Sequence, residues 1–425
     1  MASDEKKWGS MEKCACFGSA IFTVFLLSLS KGEQMMVNKK PLHILIQCNE
    51  LPPHSTGGIG IQSLNMAYAL HQAGHRVTVV GLYNEYKAHS HPFRFVQLRR
   101  IKKLNFLGDL LNIFRFHLFL FYFIKIKKHR VDLIEYPDYE SYGFFQLVGV
   151  PRLVRANDPN FYIGGKYYGA KWYQWIKRLR WLMERRAIRK ADRVVVVAKY
   201  LVPIIEKLTG RKDIYCIYNM TRVGQGQSAR YSHRAGKAFV LNTGTVAAHK
   251  GIPLLIDAFE EVADEVDFDL VLAGRIVQGI INPEAIRQRF QNRKNKIIFL
   301  GELHQKELMQ VVLAAEAIIF PSLQENMPLA WCEAMGLGKA IWVSDIPAAR
   351  ELITHGVHGY IFERGRVGAI RKALLQINKC TEEELLRVGA RARERYGRLL
   401  DMEVLLRENV LLFSKTLGHR NDQKL

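Results

Sequence analysis

Cysteine is scarce and scattered in this chain: Cys14, Cys16, Cys48, Cys216, Cys332 and Cys380 are all there is, and only the first two stand close together. The spacing offers no zinc-ligand pattern. Cys48, Cys216 and Cys332 sit in or beside apolar runs, where a small buried thiol is the ordinary reading and a reducing compartment fits. No low-complexity tract and no internal repeat stands out in the 425 residues. Acidic residues are few, 40 against 62 Lys and Arg, so the formal charge is +22. Such an excess calls for an anionic partner, with nucleic acid and an anionic bilayer both candidates. No Asp-x-Asp closes a candidate strand; Asp267-Phe-Asp269 has the letters but lies before a strand and reads as a turn. A complete dinucleotide fingerprint is missing as well. Ser55-Thr-Gly-Gly58-Ile-Gly60 follows the first strand and opens a helix, but it departs from G-x-G-x-x-G and no acid clearly ends the second strand, which argues against NAD. The apolar run from Ala15 to Leu29 is short for a bilayer span and about the length of a signal-peptide core. Three readings of residues 1–36 compete: a start codon assigned too early, given Met35-Met36, a short membrane anchor, and a cleaved signal.

The length suits two domains, and with 48% hydrophobic and 24% charged residues each can bury a sizeable core. From residue 42 on, β-branched runs alternate with amphipathic stretches, the pattern of parallel sheets with crossover helices. Candidate strands run from Leu42 to Cys48, Arg76 to Leu82, Phe93 to Leu98, Asp132 to Tyr136, Arg152 to Arg155, Arg193 to Val197 and Ile214 to Ile217, with helices such as Ile61 to Gln72 and Trp172 to Lys190 between them. The polar, glycine-containing stretch Gly224 to Gly236 is the best linker. After it the alternation resumes with strands from Phe239 to Asn242, Asp269 to Ala273, Lys296 to Leu300, Ala317 to Phe320 and Ala340 to Ser344. The expected division is 1–36, a first Rossmann-like domain at 37–223, a second at 237–399, and a tail at 400–425 that is apolar at helical spacing.

The densest chemistry follows the Ala317–Phe320 run: Pro321-Ser-Leu-Gln-Glu325-Asn-Met-Pro-Leu-Ala-Trp-Cys-Glu333. It reads as a strand, a loop with one acid, and a helix start with Pro328 in its first turn carrying a second acid. Loops at the carboxyl ends of strands face the crevice of an open α/β sheet, and the next helix offers free N–H groups. The spacing of Glu325 and Glu333 resembles the Glu-x7-Glu signature of the retaining glycosyltransferases of family 4, and the likeness continues through Val343-Ser-Asp-Ile-Pro-Ala-Ala-Arg-Glu351 and His355-Gly-Val-His-Gly359-Tyr-Ile-Phe. That resemblance implies the GT-B fold, two Rossmann-like domains facing each other across a cleft, with the last helix crossing back onto the first domain.

The resemblance also implies roles. Glu333 binds the ribose hydroxyls of a nucleotide-diphosphate sugar, and Glu325 lies near the transferred hexose. Asn326, Met327 and Leu329 offer backbone N–H groups to the donor. In Asn242-Thr-Gly244-Thr245-Val-Ala-Ala-His249-Lys250-Gly251, the loop from Gly244 borders the diphosphate and Lys250 stabilises the leaving group. The family pairs that lysine with an arginine whose place falls on Thr245, so His249 or Arg275 is a candidate substitute, or the protein is a weakened, sugar-binding scaffold. Gly58 borders the donor phosphates from the first domain. On the acceptor side Asp138, in Glu135-Tyr-Pro-Asp138-Tyr, shapes the cleft. Asn157 stands where a histidine is expected, and Asp158 is either a base or an Asx turn before Pro159. No metal and no cofactor is expected. The reaction implied is front-face transfer of a hexose with retention, onto a glycan or lipid-linked acceptor in polysaccharide synthesis. A nucleotide-sugar epimerase is the rival enzyme class.

Two basic stretches carry much of the charge. Leu104 to Lys128 mixes Phe and Leu with Arg115, His117, Lys125, Lys127 and Lys128; Trp172 to Lys190 mixes Trp172, Tyr173, Trp175 and Trp181 with seven Lys or Arg. Aromatics beside cations suit an anionic bilayer, and no nucleic-acid motif accompanies them. The expected setting is therefore cytoplasmic, at the inner face of the plasma membrane. Cytosolic nucleotide sugars also argue against secretion.

Overall fold

The structure is a computed structural model that describes residues 41–54, 57–87, 90–101, 105–157, 173–223, 231, 233 and 236–422. It divides into two compact units, one made of the described residues up to Met220 together with those from Met402, the other Thr221–Asp401. Residues 1–36, the call on their nature, and Asp158 lie outside the described residues, as do most of the linker positions.

The first unit is built on a seven-stranded parallel sheet in the order β3-β2-β1-β4-β5-β6-β7. Its strands are β1 (His43–Gln47), β2 (Arg76–Tyr83), β3 (Arg94–Arg99), β4 (Leu133–Pro137), β5 (Arg152–Ala156), β6 (Arg193–Val196) and β7 (Ile214–Cys216). β1, HILIQ, is buried at every position, because crossover helices cover both faces of a parallel sheet. α1 (Gly58–Gln72) makes the first crossover; α2 (Asn105–Phe121), α3 (Tyr173–Lys190) and α4 (Leu201–Thr209) follow. A wider π turn, Tyr122–Ile126, continues α2.

The second unit repeats the pattern with six parallel strands in the order β10-β9-β8-β11-β12-β13: β8 (Phe239–Thr243), β9 (Asp269–Ala273), β10 (Ile297–Gly301), β11 (Ala317–Phe320), β12 (Ile341–Ser344) and β13 (Tyr360–Phe362). Its helices are α5 (Ile252–Val262), α6 (Pro283–Arg289), α7 (Gln305–Ala314), α8 (Leu329–Gly336), α9 (Pro347–Leu352), α10 (Val367–Lys379) and α11 (Glu382–Leu399). Leu255, Phe259, Phe268, Phe290, Trp342 and Leu374 fill one core of buried side chains. In each sheet the strand order reverses once, between β1 and β4 and between β8 and β11. That reversal makes two successive loops diverge and opens a crevice at the carboxyl ends of the strands.

After Asp401 the chain rejoins the first unit as α12 (Met402–Asp422), which packs on α1. A buried ionic knot helps to fix it there. Arg155 of β5 donates from Nε to Glu135 Oε1 of β4 at 2.7 Å and from Nη2 to Asn409 Oδ1 of α12 at 2.6 Å, with Arg155 only 2% exposed. Removing one partner of such a pair strands a charge in the core. Glu135→Ala should therefore lower the stability of the first unit by about 3–5 kcal/mol. Chemical denaturation followed by far-UV circular dichroism measures it, and an unchanged midpoint would show that the guanidinium finds water instead.

Candidate functional site

The crevice of the second unit gathers most of the donor-side residues picked out in the sequence. β8 ends at Thr243, and Gly244 turns with φ 116° while its N–H still donates to Ala273 O at 2.9 Å. The register of β8 with β9 pairs Thr243 with Ala273, and the same offset returns in the bridge between Val246 and Ile276. Val246 N donates to Arg275 O at 2.9 Å, and Val277 N to Val246 O at 3.1 Å. Glycine is required between these points: a Cβ on Gly274 would stand 1.9 Å from Gly244 O. Arg275 follows β9 at the same offset at which Thr245 follows β8, each one residue before the bridged pair Val246 and Ile276. Arg275 is exposed, with no ion-pair partner among the described residues.

A single turn, Ala248–Lys250, leads to Gly251, whose φ of 71° lets the chain enter α5. Here the loop meets the one leaving β11. A Cβ on Gly251 would fall 2.0 Å from Pro321 O, and Leu323 N donates to His249 O at 2.8 Å. Pressed together in this way, the two loops bring Lys250 Nζ into an ion pair with Glu325 Oε1, both groups half-buried. Ser322 Oγ lies 3.4 Å from the same carboxylate oxygen, and Ser344 Oγ donates to Ser322 O. His249 is held below the ordinary histidine range, first by desolvation and then by the Lys250 charge, with Glu325 acting the other way.

Asn326 and Met327 lead into α8. Pro328 stands as its cap rather than within its first turn, and no side chain covers the leading N–H groups. Glu333 lies one turn further on. Its Oε1 accepts from Gln305 Nε2 of α7 at 3.0 Å. Burial pushes this carboxyl up to about 7, with the Gln305 bond acting the other way. A half-buried carboxylate with one amide donor and no ion pair among the described residues has acceptor capacity left for hydroxyl donors from a ligand. Among the described residues no group of three or more His, Cys, Asp or Glu can hold a metal ion.

The residues chosen in the first unit lie differently. Gly58 opens α1, but a Cβ there would meet nothing within 4 Å; the close approach belongs to Gly60, where a Cβ would sit 1.9 Å from Glu50 O. Asp138 and Asn157 do come together, both buried: Asp138 Oδ1 accepts from Tyr139 N and from Asn157 N, each at 3.1 Å. Sequence reasoning missed Glu140. It and Ser141 take φ of 62° and 57°, left-handed backbone that side chains seldom adopt outside constrained sites. Its carboxylate pairs with Arg100 and accepts from Asn49, beside the reversal between β1 and β4. The one local signal is an acid two residues after Asp138.

Residues 226–395 match the model for glycosyl transferases group 1, and residues 56–223 match that for glycosyltransferase family 4. The chain belongs to this glycosyltransferase family. It is 26% identical over 227 residues to an N-acetyl-alpha-D-glucosaminyl L-malate synthase of Bacillus anthracis, a match covering 49% of this chain and 56% of that protein. It is 26% identical over 167 residues to a phosphatidyl-myo-inositol mannosyltransferase of Mycobacterium leprae, covering 38% of this chain and 43% of the relative. The matches thus span about half the length of these curated relatives. A solved sucrose-phosphate synthase from Thermosynechococcus elongatus superposes with a TM-score of 0.73 at 18% identity, over 89% of this chain and 100% of that one. Likeness at that level shows the fold, and the fold of this glycosyltransferase is GT-B.

The raised Glu333 pKa sets a sign for stability. The folded protein binds this proton more tightly than the unfolded chain does, so the contribution is complete below about 4.5 and is lost as pH climbs through about 7. Glu333→Gln should then be more stable than the parent at pH 8, by on the order of 2 kcal/mol, and should match it near pH 4.5. Thermal unfolding at the two pH values checks this, and a variant equally destabilised at both would point to a structural role for the carboxylate.

Proposed function

We propose that this glycosyltransferase moves a hexose, with retention, from a nucleotide-diphosphate sugar to a glycan or lipid-linked acceptor in cell-surface polysaccharide synthesis. The observation that carries the donor assignment is the pair of loops at the β8–β11 reversal, which joins Lys250 to Glu325 and leads into the α8 turn that bears Glu333, with Arg275 on the loop after the adjoining β9. Two cations at the rim suit a diphosphate, and a carboxylate short of donors suits a ribose.

In the ligand-free protein Lys250 is held by Glu325. A bound diphosphate competes for that ammonium, which leaves the Glu325 carboxylate beside the sugar. The bond from the anomeric carbon to the β-phosphate oxygen then breaks with its electron pair going to the phosphate. Lys250 and Arg275 stabilise that growing charge, together with the leading N–H groups of Asn326, Met327, Leu329 and the Gly244 loop. The acceptor oxygen bonds to the anomeric carbon on the face just vacated, and its proton passes to the departing phosphate. No covalent enzyme intermediate and no metal is needed in this scheme, so a chelator should leave the rate unchanged. Gly58 borders the donor phosphates from the first unit, and on the acceptor side Asp138, Asn157 and Asp158 are the residues assigned. A lipid-linked acceptor is supported by the name of the mycobacterial relative, a phosphatidyl-myo-inositol mannosyltransferase, and the cytoplasmic membrane face belongs to the same reading.

Incubation of the purified protein with a panel of nucleotide sugars tests this reading. Slow donor hydrolysis, quickened by membranes carrying acceptor, is the expected result. Isomerised donor would make the protein an epimerase, and binding without turnover would make it a scaffold; either contradicts the proposal. Glu333→Ala should weaken nucleotide binding by about 1.5–3 kcal/mol as charged hydrogen bonds are lost. Lys250→Ala should lower turnover roughly 100-fold with little change in affinity. Arg275→Ala should lower turnover as well, by about tenfold or more, and wild-type kinetics for Arg275→Ala would remove that cation from the scheme.

A further inference from the structure

α2 and the π turn that continues it have two faces. One is locked into the first unit: Asn112, Ile113, Phe116, His117, Leu120 and Phe123 are all buried. The polar members of that face are tied down, since Asn112 bonds both the N–H and the carbonyl of Ile101 and His117 Nε2 bonds Tyr142 O at 2.8 Å. Burial pushes His117 to about 4, so it adds no charge.

The opposite face is apolar and open. Leu107, Leu111, Phe114, Leu118, Tyr122 and Ile126 recur at intervals of three or four residues, which places them in one stripe, and Leu107 and Ile126 at its ends are 54% and 59% exposed. Ordinary surface helices turn polar residues to water, so a stripe of this length marks a contact surface. Cations border it. Arg115 is exposed beside Phe114, and Lys125, Lys127 and Lys128 are exposed where the stripe ends, with Lys127 Nζ 5.6 Å from the centre of the Tyr122 ring. The Asp109–Arg180 ion pair joins α2 to α3, whose exposed positions include Arg178, Leu182, Arg186 and Arg189.

Phe106–Ile126 is long and apolar enough to cross a bilayer by composition. A helix with one face fixed in a folded core cannot do so and keep that core. It can lie in the plane of an interface with its other face among the acyl chains. Aromatic and aliphatic side chains rimmed by Lys and Arg match an anionic bilayer better than they match a second protein surface, and the excess of 62 basic over 40 acidic residues favours the same partner.

We propose that the exposed face of α2 and its π turn is the docking surface by which this protein lies on an anionic lipid bilayer. The idea extends the membrane-side acceptor reading but does not need the donor chemistry, because donor hydrolysis without vesicles reports that separately. The test is sedimentation of the full chain with vesicles of phosphatidylcholine alone or with phosphatidylglycerol added. Two variants accompany it: Phe114→Glu with Leu118→Glu, and Lys125→Ala with Lys127→Ala and Lys128→Ala. The expected result is preference of the parent for the anionic vesicles, lost in salt. Partition should fall at least about tenfold in the glutamate variant and roughly fivefold or more in the lysine variant, with thermal unfolding and vesicle-free donor hydrolysis unchanged. Full binding by the glutamate variant would assign membrane contact to another part of the chain. Equal binding to neutral vesicles would remove the cations from the account, and a dimer of the parent that the glutamate variant dissociates would make the face an interface between copies. Each of these overturns the proposal.

Discussion

The crevice of the second unit depends on the contact between Gly251 and Pro321. Any Cβ at position 251 would collide with the Pro321 carbonyl, so the loops leaving β8 and β11 approach as closely as backbones can, and the Leu323 N–H to His249 carbonyl bond holds them. That contact decides where α5 and α8 begin. It also brings Lys250 to Glu325 and leaves Glu333 one turn into the neighbouring helix. Move the loops apart by a side chain, and the cation, the carboxylates and the uncapped helix start lose their common focus.

The residues gathered there are arranged at some expense to the fold. Glu333 is desolvated without a cation, Arg275 stands exposed without an ion partner among the described residues, and α8 starts without a side-chain cap. The raised Glu333 carboxyl weakens the unligated protein above neutral pH, and a ligand carrying hydroxyl donors would offset that. Stability given up at one place in a well-packed domain is the usual mark of a site shaped for a ligand.

Much of the architecture was legible, because a buried parallel strand is a local apolar run and the crossover helix is a local period. All twelve expected strands are found; β13, only three half-buried residues long, gave no such signal. Pairing is a different matter. Thr245 and Arg275 are thirty residues apart in the chain, and only the β8–β9 register and the Val246–Ile276 bridge show that they stand at the same offset beyond paired strands. Glu135 was read with Asp138 as part of an acceptor cleft, whereas its carboxylate is spent on Arg155 in the core. The tight packing of Gly60 against the Glu50 carbonyl is likewise invisible in the sequence, which gives no sign of what lies beside either Gly58 or Gly60. The open stripe on α2 was seen as a mixture of aromatics and cations, but which face it occupies depends on what Asn112 and His117 bind.

A crystal structure with a nucleotide-diphosphate sugar bound tests the central claim most directly. The account predicts the diphosphate at the Gly244–Gly251 loop within hydrogen-bonding distance of Lys250 and Arg275, the ribose hydroxyls on Glu333, and Glu325 released from Lys250 and turned to the sugar. A nucleotide held elsewhere, with Glu333 still on Gln305 and Lys250 still on Glu325, would contradict it.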